Sequence, residues 1–368
     1  MKTESTNLIF NNMEHGKSKL IISIILVVAA SCNEPETVVT NIVHPDGSVT
    51  RRIEMRSTGN GNKDGERFKI SDLQVPYDKA WNIKDSLEIS DKGDTTWVRR
   101  VEKLFKNVDE INNYYRNDSG ANREIIRNAE FNRKFRWFNT EYRFSEKIDK
   151  KLKFGYPLAD YFNKEELLFY YSPESVKDVY QNGPDSLKFK TFGSSQDSII
   201  NVWMSNSLVS EWIGIFSELT ETKAGDDLSY QSLKAREEEF VATLARDEHN
   251  FDSLWSNGVI LRELIGEQNA LKFKTEADSA ISIVTKNLLL DFKEYSVRIA
   301  MPGKLTGTNG YKDYRAVILW PVKSDFFLTD TYEMWAESKV PNIWAWVISG
   351  LFLIFVLTGL VIRIKKKG

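Results

Sequence analysis

Cysteine and histidine are scarce in this chain, with one cysteine and three histidines in 368 residues. A single cysteine cannot form an internal disulfide framework, and this set of residues cannot supply a zinc cluster of cysteine and histidine ligands. With 20 glycines and 9 prolines, a collagen-like or Pro/Gly-rich low-complexity chain is excluded. The remaining composition, 41% hydrophobic and 28% charged, is typical of a globular protein.

Recognisable catalytic motifs are also missing. The sequence has no Gly-x-Ser-x-Gly elbow, phosphate-binding loop or dinucleotide fingerprint. Residues 247–249 (Asp-Glu-His) are the one compact group of potential metal ligands. Neighbours on a helix point about 100° apart, so the three cannot face one ion unless the helix ends near Arg246. His44 lies in a predicted turn, which favours a solvated residue over a base. We therefore predict no catalytic residue, no metal site and no cofactor.

Acidic residues outnumber basic ones between residues 32 and 362, at 50 against 43. An acidic surface repels phosphate backbones, so we predict no nucleic-acid partner.

An apolar run over residues 20–30 follows Lys17 and Lys19 and is followed by small residues, which is the pattern of a signal peptide. As a helix this run is about 17 Å long, too short for the roughly 30 Å hydrocarbon layer of a membrane. We therefore expect it to be removed. A start at Met13 would give a signal of ordinary length.

Residues 29–32 (Ala-Ala-Ser-Cys) resemble the lipobox of bacterial lipoproteins. The resemblance implies that residues 1–31 are a lipoprotein signal peptide. It also implies that Cys32 is lipidated on its sulfur and becomes the mature N-terminus, and that palmitate is part of the lipid anchor. An ordinary signal peptide with an incidental cysteine is the alternative.

A second apolar run covers residues 343–362 without a charge. As a helix it is about 30 Å long, which matches a bilayer core, so we predict a transmembrane helix. Trp344 and Trp346 stand at one end, where indole rings favour the headgroup layer. Basic residues of the predicted membrane anchor stand at the other end: Arg363, Lys365, Lys366 and Lys367.

Positive charge marks the cytoplasmic side of a membrane helix. The two ends therefore predict an extracytoplasmic domain over residues 32–342 and a basic cytoplasmic tail over residues 363–368. We place the protein in the cytoplasmic (inner) membrane of a bacterium, with its body in the periplasm and a lipid anchor at its N-terminus. Residues 326–339, rich in aromatics, are either the last strand of the body or a juxtamembrane element resting on headgroups.

Strand patterns dominate the first part of the body. Residues 37–43 and 49–55 alternate and are β-branched, and residues 44–48 carry Pro and Asp-Gly, which predicts a hairpin. Residues 97–105 predict another strand. Within residues 131–148 the aromatic positions change parity near the middle. This change predicts a bulge or a strand that switches sheet face, with core packing favoured over a ligand groove.

The middle of the body, about residues 156–290, is helical in pattern. Apolar residues recur at spacings of three and four over residues 199–219, which predicts an amphipathic helix. Residues 294–300 and 314–320 return to strand, the latter ended by Pro321. We therefore predict an α+β fold: an antiparallel sheet of N- and C-terminal strands with a helical middle section and one C-terminal transmembrane helix.

Residues 295–320 contain Met-Pro-Gly-Lys after one strand, then Thr-Asn-Gly, then a strand ending in Trp320, with the apolar run beyond. This order resembles the closing portion of LppM-like lipoprotein domains. The resemblance implies an extracytoplasmic domain with a lipobox before it and a membrane helix behind it. It also implies a non-enzymatic domain that handles lipid or glycolipid, and it supplies no catalytic residue.

The predicted function is that of a non-enzymatic, membrane-tethered envelope lipoprotein. Its expected partners are the lipid bilayer and a lipid-like ligand (lipid or glycolipid) or another envelope protein. An envelope glycan hydrolase using paired carboxylates is the alternative, because sequence does not reveal the spatial separation of carboxylates. An apolar groove or patch favours the binder, whereas polar residues converging in a cleft favour the enzyme.

Overall fold

The computed structural model describes residues 36–58, 68, 75–91, 93–117, 124–151, 153–173, 176–177, 186–223, 225–246, 251–287, 292–312 and 318–366. These residues fall into two compact units. The sheet unit lies within Pro35–Lys151, Lys293–Val322 and Thr331–Gly368, and the helical unit within Leu152–Phe292 and Lys323–Asp330. The α+β class predicted from the sequence is confirmed.

The strands that the structure describes all belong to the sheet unit. In chain order they are β1 (Glu36–Val43), β2 (Val49–Thr58), β3 (Asn82–Ile89), β4 (Thr95–Phe105), β5 (Ile125–Phe135), β6 (Asn139–Lys150), β7 (Tyr295–Ala300), β8 (Lys304–Thr308), β9 (Tyr311–Lys312), β10 (Ile318–Val322) and β11 (Tyr332–Pro341). The same unit contains α1 (Val108–Arg116) and α10 (Ile343–Lys365).

The described strands form two sheets. The first sheet has the order β3-β4-β2-β1-β7-β10-β9, and the second has the order β5-β6-β11-β8. The N- and C-terminal strands meet where β1 pairs in parallel with β7, which places Val39 beside Val297. The predicted hairpin is confirmed as β1 and β2, with Val43 paired to Val49. Alternate β1 and β2 residues are buried because one face of this sheet covers the core.

The prediction of a bulge or of a strand that switches sheet face over residues 131–148 was wrong. The structure has a hairpin there, in which β5 and β6 pair from Ile125 with Lys150 to Phe135 with Thr140. The change of parity marks the turn over residues 136–138, which contains neither glycine nor proline. The carbonyls of this turn accept hydrogen bonds from Asn342, some 200 residues away, so no local signal announces it.

Pro321 does not end its strand, as the sequence suggested, but lies inside β10 opposite Ser296. The neighbouring β9 pairs only with Ile318 and Leu319. Pro321 therefore stands where the paired part of β9 has ended, and edge positions of this kind tolerate proline.

Residues 302–303 (Pro-Gly) turn the chain from one sheet to the other, because β7 belongs to the first sheet and β8 to the second. Gly303 has a φ of +76°, and a Cβ there would lie 2.5 Å from the backbone oxygen of Lys339. Glycine is therefore required at this corner both by its backbone conformation and by the close approach of β11.

We expect Gly303→Ala to lower the free energy of unfolding of the sheet unit by at least about 2 kcal/mol, because left-handed strain and overlap with backbone act together. Gly93→Ala is the matched control. Gly93 has a φ of +84°, but a Cβ there meets no described atom within 4 Å, so strain alone should cost about 1 kcal/mol. Urea unfolding of both variants measures the difference in stability. Equal losses of stability in the two variants would show that the close approach of β11 to Gly303 does not require glycine there.

Residues 308–310 (Thr-Asn-Gly) connect the two sheets. The Asn309 Oδ1 accepts hydrogen bonds from the Trp320 indole at 3.0 Å and from the Trp335 backbone N–H at 2.8 Å. Its amide group donates to the Glu333 carbonyl at 2.7 Å. The Asn309 side chain thus joins β10 of the first sheet to β11 of the second. The Thr-Asn-Gly motif therefore has a structural role.

The helical unit contains the remaining helices, which confirms the helical middle section. They are α2 (Lys164–Tyr170), α3 (Ser186–Thr220), α4 (Tyr230–Lys234), α5 (Glu237–Arg246), α6 (Phe251–Ser256), α7 (Val259–Ile265), α8 (Glu267–Lys272) and α9 (Lys274–Asn287). The long helix α3 begins earlier than the periodicity suggested and supplies buried Trp212 and Phe216, whose rings stack 4.7 Å apart.

Candidate membrane-proximal site

Among the described residues, α10 is the one helix long and apolar enough to cross a membrane. The most apolar 18-residue stretch of this 23-residue helix has a mean hydropathy of 2.5 and is almost entirely exposed. At about 1.5 Å per residue the helix is about 34 Å long, slightly more than a hydrocarbon core. Arg363 and Lys365 lie in its last turn, and Lys366 follows as its C-cap.

Asn342 joins this helix to the sheet unit. Because Pro341 at the end of β11 pairs with Asn139 at the start of β6, Asn342 reaches the β5–β6 turn. Its side-chain amide donates to the carbonyls of Arg136 at 2.7 Å and Trp137 at 3.2 Å. Its backbone N–H donates to the Phe138 carbonyl at 2.9 Å. The helix is therefore held against the turn by directional bonds.

Five aromatic side chains surround this joint. We call them the aromatic collar: Phe135, Trp137, Phe138, Trp344 and Trp346. The rings of Trp137 and Trp344 meet edge to face at 5.2 Å, and those of Phe138 and Trp346 lie 4.4 Å apart. The Trp346 indole donates to the Phe138 carbonyl at 3.2 Å. All five remain between 39% and 57% exposed, so the collar is not part of a closed core.

The sequence identified only two of the five residues of the collar. Trp344 and Trp346 were predicted as interfacial anchors, whereas the hairpin aromatics were assigned to a continuous strand packed in the core. The sequence did carry one signal for the hairpin turn. The alternation of apolar and polar residues is lost at residues 135–138 (Phe-Arg-Trp-Phe), where three exposed aromatics flank a basic residue. Their meeting with α10 depends on strand pairing across about 200 residues and has no local signature.

A buried polar cluster lies between the sheets. We call it the interior charge cluster: Asn41, Arg51, Tyr115, Arg127, Glu146 and Tyr295. Arg51 Nη2 lies 2.6 Å from Glu146 Oε2, and both side chains are almost fully buried. Asn41 bridges the pair, accepting from Arg51 Nε at 2.9 Å and donating to Glu146 at 3.0 Å. Because β1 and β2 lie in one sheet and β6 in the other, this cluster links the two sheets.

The cluster contains two guanidinium groups for one carboxylate. Arg127 donates to the Tyr295 hydroxyl at 2.5 Å. Burial opposes the charge of Arg51, but its interactions with Glu146 and Tyr115 together outweigh burial and raise the pKa of Arg51. Burial raises the pKa of Tyr115 and of Tyr295, so both phenols stay neutral at physiological pH. Among the described residues, Arg51 Nη1 and the Tyr115 hydroxyl have no hydrogen-bond partner.

A polar groove of about 390 Å³ crosses the second sheet. Its lining residues are Asn132, Lys134, Glu141, Tyr142, Arg143, Thr306, Glu337, Ser338 and Lys339. Its carboxylates are paired with cations, Glu141 with Lys339 at 3.2 Å and Glu337 with Arg143 at 2.7 Å. The hydrogen bond from Lys339 lowers the pKa of Glu141, which keeps this carboxylate ionised.

A more apolar groove of about 300 Å³ lies beside the corner at Gly303. Its lining residues are Thr40, Arg298, Ile299, Ala300, Met301, Gly303, Leu305 and Ile318. Aliphatic and thioether side chains form much of its surface, and Arg298 is the one charged residue among the lining residues that the structure describes. This combination suits a molecule with an apolar body and an anionic group.

Asp325 is an acid with a displaced pKa in the helical unit. Burial raises its pKa from 3.8 to about 7, and the Tyr170 hydroxyl donates a hydrogen bond to it. The folded state therefore binds the proton more tightly than the unfolded chain, so stability falls as the pH rises from about 4 to about 7 and is level above.

In Asp325→Asn this dependence on pH should disappear, and at pH 8 the variant should be more stable than the wild type by up to about 4 kcal/mol, because each pKa unit corresponds to about 1.4 kcal/mol. Unfolding of the helical unit at pH 5 and pH 8, followed by hydrogen exchange of its peptides, measures this. Asp160→Asn at an exposed aspartate is the control. If the free energy of unfolding of Asp325→Asn falls between pH 5 and 7 as steeply as that of the wild type, the Asp325 carboxyl has an ordinary pKa.

Several residues singled out from the sequence are not among those that the structure describes. Cys32, Lys367 and residues 247–249 lie outside the described ranges. His44 lies at the β1–β2 turn and makes a 2.9 Å hydrogen bond with the Thr50 hydroxyl. Within the described ranges, no group of three or more His, Cys, Asp or Glu side chains is placed to hold a metal ion.

No protein-family model matches this chain. No curated protein matches it either. Among solved structures, the NMR structure of the folded domain of LppM from Mycobacterium tuberculosis is a weak match. It has 9% sequence identity and a TM-score of 0.24, covering 84% of this chain and 92% of that chain. A TM-score this low does not establish a common fold, so the LppM-like pattern in residues 295–320 stays a resemblance.

Proposed function

We propose that this protein is a non-enzymatic bacterial envelope lipoprotein. Lipidated Cys32 and α10 attach it to the cytoplasmic membrane, its body lies on the periplasmic side, and its basic C-terminal residues lie in the cytoplasm. The observation that carries the proposal is the joint at Asn342. An apolar helix of membrane length is bonded directly to a folded sheet unit and surrounded by aromatic side chains suited to a bilayer interface.

The apolar groove supports a lipid-like ligand as the molecule this protein binds. Met301, Leu305 and Ile318 offer aliphatic contact, and Arg298 offers a cation to a phosphate or carboxylate. The polar groove fits the glycan-hydrolase alternative poorly. Glycosidases need one carboxyl group with a raised pKa, whereas Glu141 and Glu337 are both paired with cations and the pKa of Glu141 is lowered.

Lipid analysis of the full chain purified in mild detergent tests the binding. We expect mass spectrometry to find a defined amphiphile that Ala300→Trp loses, because the indole fills the apolar groove. Asn132→Trp adds the same bulk to the polar groove and should retain the amphiphile. Equal lipid in both variants would contradict binding in this groove. A co-purifying envelope protein in place of lipid would favour the partner-binding function, and hydrolysis of envelope glycan would favour the enzyme.

A further inference from the structure

The tip of the β5–β6 hairpin lies beside the first turns of α10. The Trp137 indole donates a 2.8 Å hydrogen bond to the hydroxyl of Ser349. Ser349 is six residues past the start of α10, which corresponds to about 9 Å along the helix axis. If the apolar helix spans the bilayer from its first turn, the indole of Trp137 lies below the membrane surface.

The tip also has the chemistry of an interfacial anchor. Phe135, Trp137 and Phe138 keep exposures of 55%, 47% and 39% although they pack against Trp344 and Trp346. Such an exposed aromatic surface is unfavourable in water and is well suited to the headgroup region, where Trp is enriched. Because the tip is bonded to the helix through Asn342, it cannot leave the membrane surface without breaking that joint.

Two cationic residues lie next to these aromatics, on the side away from the hairpin tip. Arg133 and Lys134 precede Phe135 in β5, and both side chains are exposed. Neither makes an ion pair with another residue that the structure describes, whereas Arg136 lies 3.6 Å from Glu141. One to two residues along a strand correspond to about 3–7 Å, which places these cations at the level of lipid phosphates when the aromatics are embedded.

We propose that the β5–β6 hairpin tip is a second, monotopic membrane contact that inserts its aromatics beside α10 and binds anionic phospholipid headgroups through Arg133 and Lys134. The inference rests on the proposed membrane location of α10. Lipidation of Cys32 is not needed for it. The tip and the helix together fix the depth and tilt of the sheet unit, which a single flexible tether cannot do.

Depth measurements by spin labelling test the insertion. In a Cys32→Ser background of the full chain, reconstituted in phosphatidylcholine vesicles with about a third phosphatidylglycerol, single cysteines are introduced by Arg136→Cys, Glu130→Cys and Val356→Cys. Arg136 is exposed at the tip, Glu130 is exposed about 20 Å up the same strand, and Val356 is near the middle of α10. Collision rates of each nitroxide with oxygen and with an aqueous nickel chelate report its depth.

We expect the label at position 136 to be several-fold less accessible to the nickel chelate than the label at position 130, and the label at position 356 to be the deepest. A water-accessible label at position 136 with a deep label at position 356 overturns the insertion but leaves the membrane helix intact. A water-accessible label at position 356 overturns both proposals.

The headgroup preference is tested with spin-labelled phosphatidylglycerol and phosphatidylcholine on the full chain. We expect motionally restricted phosphatidylglycerol to exceed phosphatidylcholine at least about fivefold in the wild type, which is the factor that one cation contributes. The double variant Arg133→Gln/Lys134→Gln should lower the preference to the part that the basic residues at the end of α10 contribute. Lys79→Gln/Lys84→Gln removes two exposed cations from the first sheet and its preceding turn and should retain it. An unchanged preference in the first double variant overturns the assignment of the headgroup site.

Discussion

Glu146→Leu is expected to destabilise the sheet unit by about 3–5 kcal/mol. The substitution leaves Arg51 buried without its carboxylate partner, and an unpaired buried charge has a cost of this size. It also removes an acceptor of the Asn41 amide, so the hydrogen-bonded link between the two sheets is lost. Hydrogen exchange of peptides from β1, β2 and β6 should accelerate by at least about a hundredfold, because 1.4 kcal/mol corresponds to a factor of ten.

The double variant Arg51→Met/Glu146→Leu is the matched control. Replacing a buried ion pair by apolar side chains of similar volume is often neutral, so most of the lost stability should return. Arg51 already has one buried nitrogen without a described partner, which favours this recovery. A double variant as unstable as Glu146→Leu would show that the loss comes from packing or from Arg127 without Glu146, and not from the pair with Arg51. A single variant within about 1 kcal/mol of the wild type would show that the pair does not link the sheets.

Release of the protein from the membrane is expected only when both anchors are removed. Replacing residues 1–32 by an ordinary cleavable secretory signal removes the lipidated cysteine but leaves α10, whose insertion is effectively irreversible. Ending the chain after Asn342 removes α10 but leaves the acyl chains, each worth about 0.8 kcal/mol per buried methylene. Each change alone should leave the protein in the membrane pellet, and the two together should move it to the soluble fraction.

Fractionation after a high-salt wash distinguishes the possible failures. The wash removes the weak reversible contact that the hairpin tip retains on its own. Release on ending the chain after Asn342 alone would show that Cys32 carries no lipid. Release on replacing residues 1–32 alone would show that α10 does not anchor the chain. A doubly changed protein that remains in the pellet would show a further attachment.

Features with a local signal were predictable from the sequence. The β1–β2 hairpin follows from alternation around Asp-Gly, and α10 follows from its length and lack of charge. The interior charge cluster was missed, although each partner carried a signal. Arg51 shares a strand face with Val49 and Ile53, and Glu146 shares one with Phe144 and Ile148. Two charged residues on apolar faces indicate a buried pair, but their separation of 95 residues hides which residues meet.

The division of the C-terminal strands between two sheets was not predictable either. Residues 302–303 look like a hairpin turn, and only the close approach of β11 to Gly303 shows that they form a corner. The aromatic collar likewise depends on Asn342 reaching the carbonyls of the β5–β6 turn. In each case tertiary contacts between distant segments, rather than local propensity, decide the conformation.

Labelling of single cysteines in spheroplasts tests the arrangement of the chain across the membrane most directly. In full-length protein with Cys32 replaced by serine, cysteines are introduced by Glu130→Cys in the body and Lys366→Cys beyond α10. A membrane-impermeant maleimide should modify position 130 in intact spheroplasts and position 366 only after permeabilisation. Modification of position 366 in intact spheroplasts, with position 130 protected, would contradict a body held outside the cytoplasm.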